Sequence, residues 1–179
     1  MKICMGGWYE LQGGPPQAWR INITSLPDGL ALDALHIGIF EMLASMICVD
    51  RRLEGLNPET SPVMVFGDNL GVNFNFISSA SKCPICRALA TVWFRDASRK
   101  RRAVYNSWIS GVRNEEADAA SRQSKTAILL AMRPETELKV LNEGEALHWL
   151  RSAVTELGRA RAAETDLEEV LKEIDRIKV

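Results

Sequence analysis

A chain of 179 residues can bury one sizeable core with a small appendage, and its 46% apolar and 25% charged residues are ordinary for a globular protein. The net charge of −1 excludes a protein that is basic throughout. The longest apolar stretch, around Leu35 to Val49, is interrupted by Glu41 and is too short for a bilayer. No charged-then-apolar leader opens the chain, so neither a membrane span nor a secretory signal is expected. Cys4, Cys48, Cys83 and Cys86 form no evenly spaced staple framework, which predicts reduced thiols and an intracellular location.

In chain order, the first 25 residues read as strands and turns, with Gly6-Gly7 and Gly13-Gly14-Pro15-Pro16 as punctuation around segments such as Ala18 to Thr24. A helix is expected over about Ala34 to Leu53, with Phe40, Leu43 and Ile47 on one face. A second face carries Glu41, Ala44, Ser45 and Cys48, whose small side chains permit close approach to another element. Val63-Met64-Val65-Phe66 is a continuous apolar run, the pattern of a strand buried on both faces. It ends at Gly67-Asp68-Asn69, which places Asp68 at the carboxyl end of a central strand, where open α/β sheets hold their ligands.

Leu70 to Ser78 reads as either helix or strand because of Asn73 and Asn75. A helix over Pro84 to Ala97 and a strand over Arg102 to Ile109 follow. Gly111 breaks the strand, and Asn114 caps a short helix through Arg122, with acids in its first turn. Beyond Pro134, two capping boxes (Asn142 with Glu145, Thr165 with Glu168) predict a helical hairpin that packs on the main domain or meets a partner helix. Strands alternating with helices make the fold α/β, with a main domain over 1–123 and a helical extension over 124–179.

Charge is unevenly placed. Residues 93–125 carry eight basic and four acidic side chains, while 1–62 carry four and seven and 126–179 carry eight and eleven. The run Arg99-Lys100-Arg101-Arg102 is therefore a candidate phosphate-contacting edge, against an equally weighted reading as a solvated turn.

Three carboxylates stand out by position: Glu41 on a helix, Asp68 at a strand end and Asp118 on a late short helix. Clustered carboxylates repel unless cations lie between them, and oxygen ligands of this kind suit Mg²⁺. Around them, His36-Ile37-Gly38-Ile39-Phe40-Glu41-Met42-Leu43-Ala44 resembles the glutamate-bearing helix of reverse-transcriptase ribonuclease H domains. Phe66-Gly67-Asp68-Asn69 is similar to the strand that supplies that family's aspartate. Ile109-Ser110-Gly111-Val112-Arg113-Asn114-Glu115-Glu116-Ala117-Asp118-Ala119-Ala120-Ser121-Arg122 resembles the closing motif of these domains in DIRS-like and related retroelements. Chain order and the intervals of 27 and 50 residues agree, Gly6-Gly7-Trp8 resembles the turn after the first strand, and the likeness covers about residues 3–123.

That resemblance implies a ribonuclease H-like mixed sheet flanked by helices, acting on RNA–DNA hybrids with two Mg²⁺ ions held by Glu41, Asp68 and Asp118. The basic residues Arg99, Lys100, Arg101, Arg102 and Arg113 are the expected nucleic-acid contacts. The family's first-strand aspartate is missing, because Lys2 or a position before Met1 takes its place. Ser110 replaces a usual proline and Trp108 a usual histidine, and residues 124–179 match no pattern. Two readings follow: an impaired endonuclease, or an inactive remnant that binds nucleic acid or a protein. Another nuclease or integrase of the same superfamily is a weaker third. Cys83-Pro84-Ile85-Cys86 is half of a zinc pattern with no second half, and reads as a helix start carrying two incidental thiols. His36, His148 and the five tryptophans read as packing or surface residues.

Overall fold

The computed structural model describes residues 3–10, 14–28, 30, 37–57, 59–78, 81–122 and 135–177, with side chains described to residue 169. Strands β1 (Ile3–Tyr9) and β2 (Gln17–Ile23) form an antiparallel pair in which Met5 lies opposite Ile21 and Gly7 opposite Trp19. Helix α1 (Ile37–Arg52) follows, then β3 (Val63–Gly67), α2 (Leu70–Ser78), α3 (Pro84–Arg99) and β4 (Val104–Trp108). A 3-10 turn (Gly111–Arg113) leads into α4 (Glu115–Arg122), and β5 (Glu137–Leu141) and α5 (Gly144–Ile177) complete the described elements. The molecule is thus mixed α/β. Positions 34–36 of the expected first helix lie outside the described residues.

One sheet was expected, and the described residues form two. The first is mixed, in the order β1-β2-β5, with β5 parallel to β2. The second is the parallel pair β3-β4, in which Val63 lies beside Val104 and Gly67 beside Trp108. Helices cover both sides of β1. On one side α4 sits so close that a Cβ at Gly6 would lie 2.5 Å from the carbonyl carbon of Ala120. On the other, a Cβ at Gly7 would lie 2.7 Å from Cys48 Sγ of α1. Glycine is required at both places by proximity, and the small-residue face read on α1 is the face that meets the strand.

The core gathers Trp19, Ile21 and Ile23 of β2, Ile39, Leu43 and Ile47 of α1, and Leu89 and Trp93 of α3. Ala146, Leu147, Trp149, Leu150 and Ala153 of α5 belong to the same cluster. Trp93 meets Trp149 edge-on at 5.6 Å between ring centroids, inside the range where such pairs attract. The first part of the C-terminal segment therefore packs on the body, and β5 extends its sheet. The boundary expected at 123/124 lies beside residues that are not described.

Two local expectations are corrected. The strand read as buried on both faces alternates: Val63 and Val65 are buried, while Met64 and Phe66 are 59% and 51% exposed. No described helix lies on that outer face of β3-β4, so its apolar run is a one-sided strand with apolar residues on both faces. The expected C-terminal hairpin is one continuous helix of 34 residues. Thr165 caps nothing, because its hydroxyl donates to the Arg161 carbonyl at 3.0 Å inside the helix. The residues before it, Arg159-Ala160-Arg161-Ala162-Ala163-Glu164, are strong helix formers with no breaker to make a turn. Asn142 does act as a start signal, accepting from the Gly144 amide at 2.7 Å, while Glu145 pairs with Arg51 instead of closing the box.

Candidate active site

Glu41, Asp68 and Asp118 line one cavity of about 230 Å³. Its walls are Cys4 to Trp8 of β1, the Glu41-Ala44-Ser45-Cys48 face of α1, the end of β3 from Val65 to Asn69, and Asn114, Ala117, Asp118, Ser121 and Arg122 around α4. The cavity occupies the space between the two sheets. Its acids come from three elements whose positions have separate local causes.

The Gly67-Asp68-Asn69 turn is fixed by amides. Asn73, a buried polar residue of α2, donates to the carbonyls of both Gly67 (3.3 Å) and Ser107 (3.2 Å) and so ties the ends of β3 and β4 together. This bridging explains why an asparagine sits in the interior of a helix that its presence made hard to read. Asn69 accepts from the Val72 amide at 3.2 Å, capping α2, and its own amide donates to Glu41 Oε2. Asn114 donates to Asp68 Oδ1 at 3.2 Å, and Trp108 Nε1 donates to the Asp68 carbonyl at 3.0 Å. Together these bonds tie the strand end to α1, α2, β4 and the start of α4.

Asp118 is set by the seating of α4 on Gly6. The end of that helix is held by Arg20 of β2, whose Nε donates to the Ala120 carbonyl at 2.7 Å and satisfies one of the orphan acceptors of a helix C-terminus. Asp118 itself pairs with Arg122 one turn on, at 2.7 Å. Glu41 is half-buried, whereas Asp68 and Asp118 are exposed. Among the described residues, no three His, Cys, Asp or Glu side chains stand close enough together to hold one metal ion. The carboxylates share a cavity but are engaged by Asn69, Asn114 and Arg122.

The basic run has another position. It precedes β4, whereas Asp68 follows the parallel, in-register β3, so the two lie at opposite ends of a five-residue pair of strands, on the order of 15 Å apart. Arg102 turns inward, only 10% exposed, onto Asp50 at 2.7 Å and Asp96 at 3.3 Å. Lys100 pairs with Asp96 and Arg101 with Glu59. Arg101 closes α3 in the left-handed region, at φ 49°, with the Arg102 amide reaching back to the Ala97 carbonyl. Arg102 is thus a structural ion pair, and Arg99 and Arg113 are the exposed members of the set without a described acidic partner. Only Arg113 lies at the Asp68 end.

Lys2 and His36 lie outside the described residues. His148 is exposed against Trp149. Trp19, Trp93 and Trp149 are buried and Trp8 is half-buried, but Trp108 is 51% exposed and serves the Asp68 turn. Cys83 caps α3, and Cys86 beneath it is fully buried, its thiol pushed up to about 12 by burial and by the neighbouring Cys83. Cys48 receives a hydrogen bond from Trp19 Nε1 at 3.2 Å, and desolvation pushes its thiol up to about 11. Neither is a poised nucleophile or metal ligand. Sequence reasoning missed Asn69, Arg20 and Arg122 as supports; the signal for Asn69 was its place directly after the strand-end acid.

Comparisons with protein-family models, curated proteins and solved structures return no match to this chain.

Proposed function

We propose that this chain is a ribonuclease H-like domain of retroelement origin, acting on the RNA strand of an RNA–DNA hybrid, and impaired if Lys2 is what stands at the family's first-strand aspartate. The finer fold assignment, the family's sheet flanked by helices, belongs to the same reading. The observation that supports it is the common cavity: acids 27 and 50 residues apart come to one space, on the kinds of element that the resemblance implies. A second strand of support is the Asn114–Asp68 bond, which joins two of the motifs through their own residues.

Carboxylate oxygens suit a hard divalent cation such as Mg²⁺. Glu41, Asp68 and Asp118 are the residues that would hold it, and they would have to draw closer together to do so, since among the described residues no three such side chains are grouped. When bound, Mg²⁺ in such sites activates water and steadies the leaving oxygen. The chain's own contribution is positional. Asn69 and Asn114 orient two of the acids, and Arg122 offsets the charge of Asp118 and stands at the cavity as a partner for a substrate phosphate. A hybrid would be read by its shape and 2′-hydroxyls rather than by base sequence. The inactive-remnant reading is favoured by one observation: each acid is engaged by a donor from the protein itself, and no three such groups cluster among the described residues.

The test supplies an acid at the family's first position, in one variant as Lys2→Asp and in another as a first strand carrying aspartate added before Met1. Loss of one charged group from a preorganised site commonly costs 10²–10³ in rate, so one of the two should raise Mg²⁺-dependent hybrid cleavage by about 100-fold over the unaltered chain. Adding Asp68→Asn should abolish the gain. No gain in either folded variant would favour the remnant, and robust cleavage by the unaltered chain would show that the acid is dispensable.

A further inference from the structure

Helix α5 changes character along its length. Its first turns supply Ala146, Leu150 and Ala153 to the core, yet every residue from 158 to 169 is exposed, on all sides of the helix. The last anchoring residues are Glu156, which takes Arg95 of α3 at 2.9 Å, and Leu157, packed at the edge of the core. From Gly158 to Ile177 the helical backbone runs on for twenty residues, about 30 Å, away from the body. A helix of that length gains little from local propensity alone, and its stability normally comes from covering an apolar face.

The sequence supplies such a face. Ala160, Ala163, Leu167, Val170, Ile174 and Ile177 recur in alternating steps of three and four, the a and d positions of three heptads. Leu167, in the middle of the row, is 60% exposed. This period of 3.5 is that of a left-handed supercoil, with Leu171 at the adjoining e position widening the apolar face. We propose that the projecting half of α5 forms a parallel coiled coil with further copies of this chain.

Charge selects the partner and the direction. In the same register Arg159 occupies a g position and Glu164 the e position five residues later, the pair that meets between parallel identical helices. Arg159 is 68% exposed and only loosely tied, at 3.6 Å, to a Glu156 already held by Arg95. Isoleucine at both a and d, in Ile174 and Ile177, inclines such a seam toward three strands over two.

Sedimentation equilibrium of the full chain should give a mass rising with concentration from 19.9 kDa to two or three times that value. Leu167→Lys should raise the concentration for half-association at least tenfold, a change of about 1.4 kcal/mol, while Glu168→Lys, one position outside the seam, should not. Ala163→Cys should crosslink to itself under mild oxidation, because equivalent d positions face each other only in a parallel pair, and adding Leu167→Lys should remove that crosslink. The unaltered chain under the same oxidant is the baseline for its four native thiols. A mass of 19.9 kDa at every concentration would overturn the proposal, as would assembly that Leu167→Lys leaves intact or that Ala163→Cys cannot trap.

Discussion

Replacing Gly6 with alanine tests the contact on which the cavity depends. The added methyl carbon would lie 2.5 Å from the Ala120 carbonyl carbon, 2.6 Å from the Ser121 nitrogen and 2.7 Å from Ala120 Cβ. Ordinary carbon contacts are 3.5–4.0 Å, so α4 must retreat by about 1 Å. Two of the three obstructing atoms are backbone, so no rotamer change relieves the clash. Retreat also strains the 2.7 Å bond from Arg20 to the Ala120 carbonyl. Overpacking of this kind costs 1–3 kcal/mol, and the backbone obstruction places Gly6→Ala near the top, at about 2–3 kcal/mol. For a chain of this length that lowers the melting temperature by about 5–10 °C, measurable by calorimetry. Gly67→Ala is the control, since its methyl would meet only Asn73 Oδ1, at an ordinary 3.7 Å. Because Asp118 travels with α4, any hybrid cleavage restored by Lys2→Asp should fall again when Gly6→Ala is added. A Gly6→Ala protein melting within about 1 °C of its parent would refute the seating of α4 on β1.

Arg102→Gln removes the cation that Asp50 and Asp96 share, leaving Asp96 only the exposed Lys100. Both acids are partly solvated, so the expected cost is about 1–3 kcal/mol, below that of a fully buried pair, with no more than a twofold change in hybrid binding by anisotropy. Weakened binding without lost stability would return Arg102 to the phosphate-contacting set. The raised thiols of Cys48 and Cys86 make stability fall in alkali. Folded, they keep their protons to about 11 and 12; unfolded, they lose them near 8.5–9, so the unfolded state is favoured increasingly as pH climbs through 9 to 11. Urea midpoints measured across that window should decline, and Cys48→Ala with Cys86→Ala should flatten the decline. An unchanged slope in the double variant would assign the loss to other groups.

How much was legible in the sequence depended on whether the signal was local. The turn at Gly67-Asp68-Asn69, the proline start of α3 and the small face of α1 were readable because each is written in adjacent or helically spaced residues. The common cavity was reached only through the resemblance, since nothing in the spacing of Glu41, Asp68 and Asp118 encodes their meeting. The partners of the basic run were not legible: Asp50 lies 52 residues before Arg102, and a charge run carries no mark of which member turns inward. The helix boundary at Thr165 failed for a different reason. A capping box is a competent start signal, but it operates only where something has ended the preceding helix, and nothing between Gly158 and Thr165 does so.

The pairing of β2 with β5 joins residues 17–21 to residues 137–141, some 120 positions later in the chain. During synthesis the acid-bearing segment emerges long before the strand that closes the first sheet. Until then one edge of β2 offers unpaired backbone groups beside Trp19 and Ile21, a template for pairing with another chain. Closing so long a loop is also slow, because its entropy is lost before the contacts that repay it form. Nascent or shortened chains ending near residue 123 should therefore be prone to self-association through that open edge, whatever the competence of the cavity they already contain.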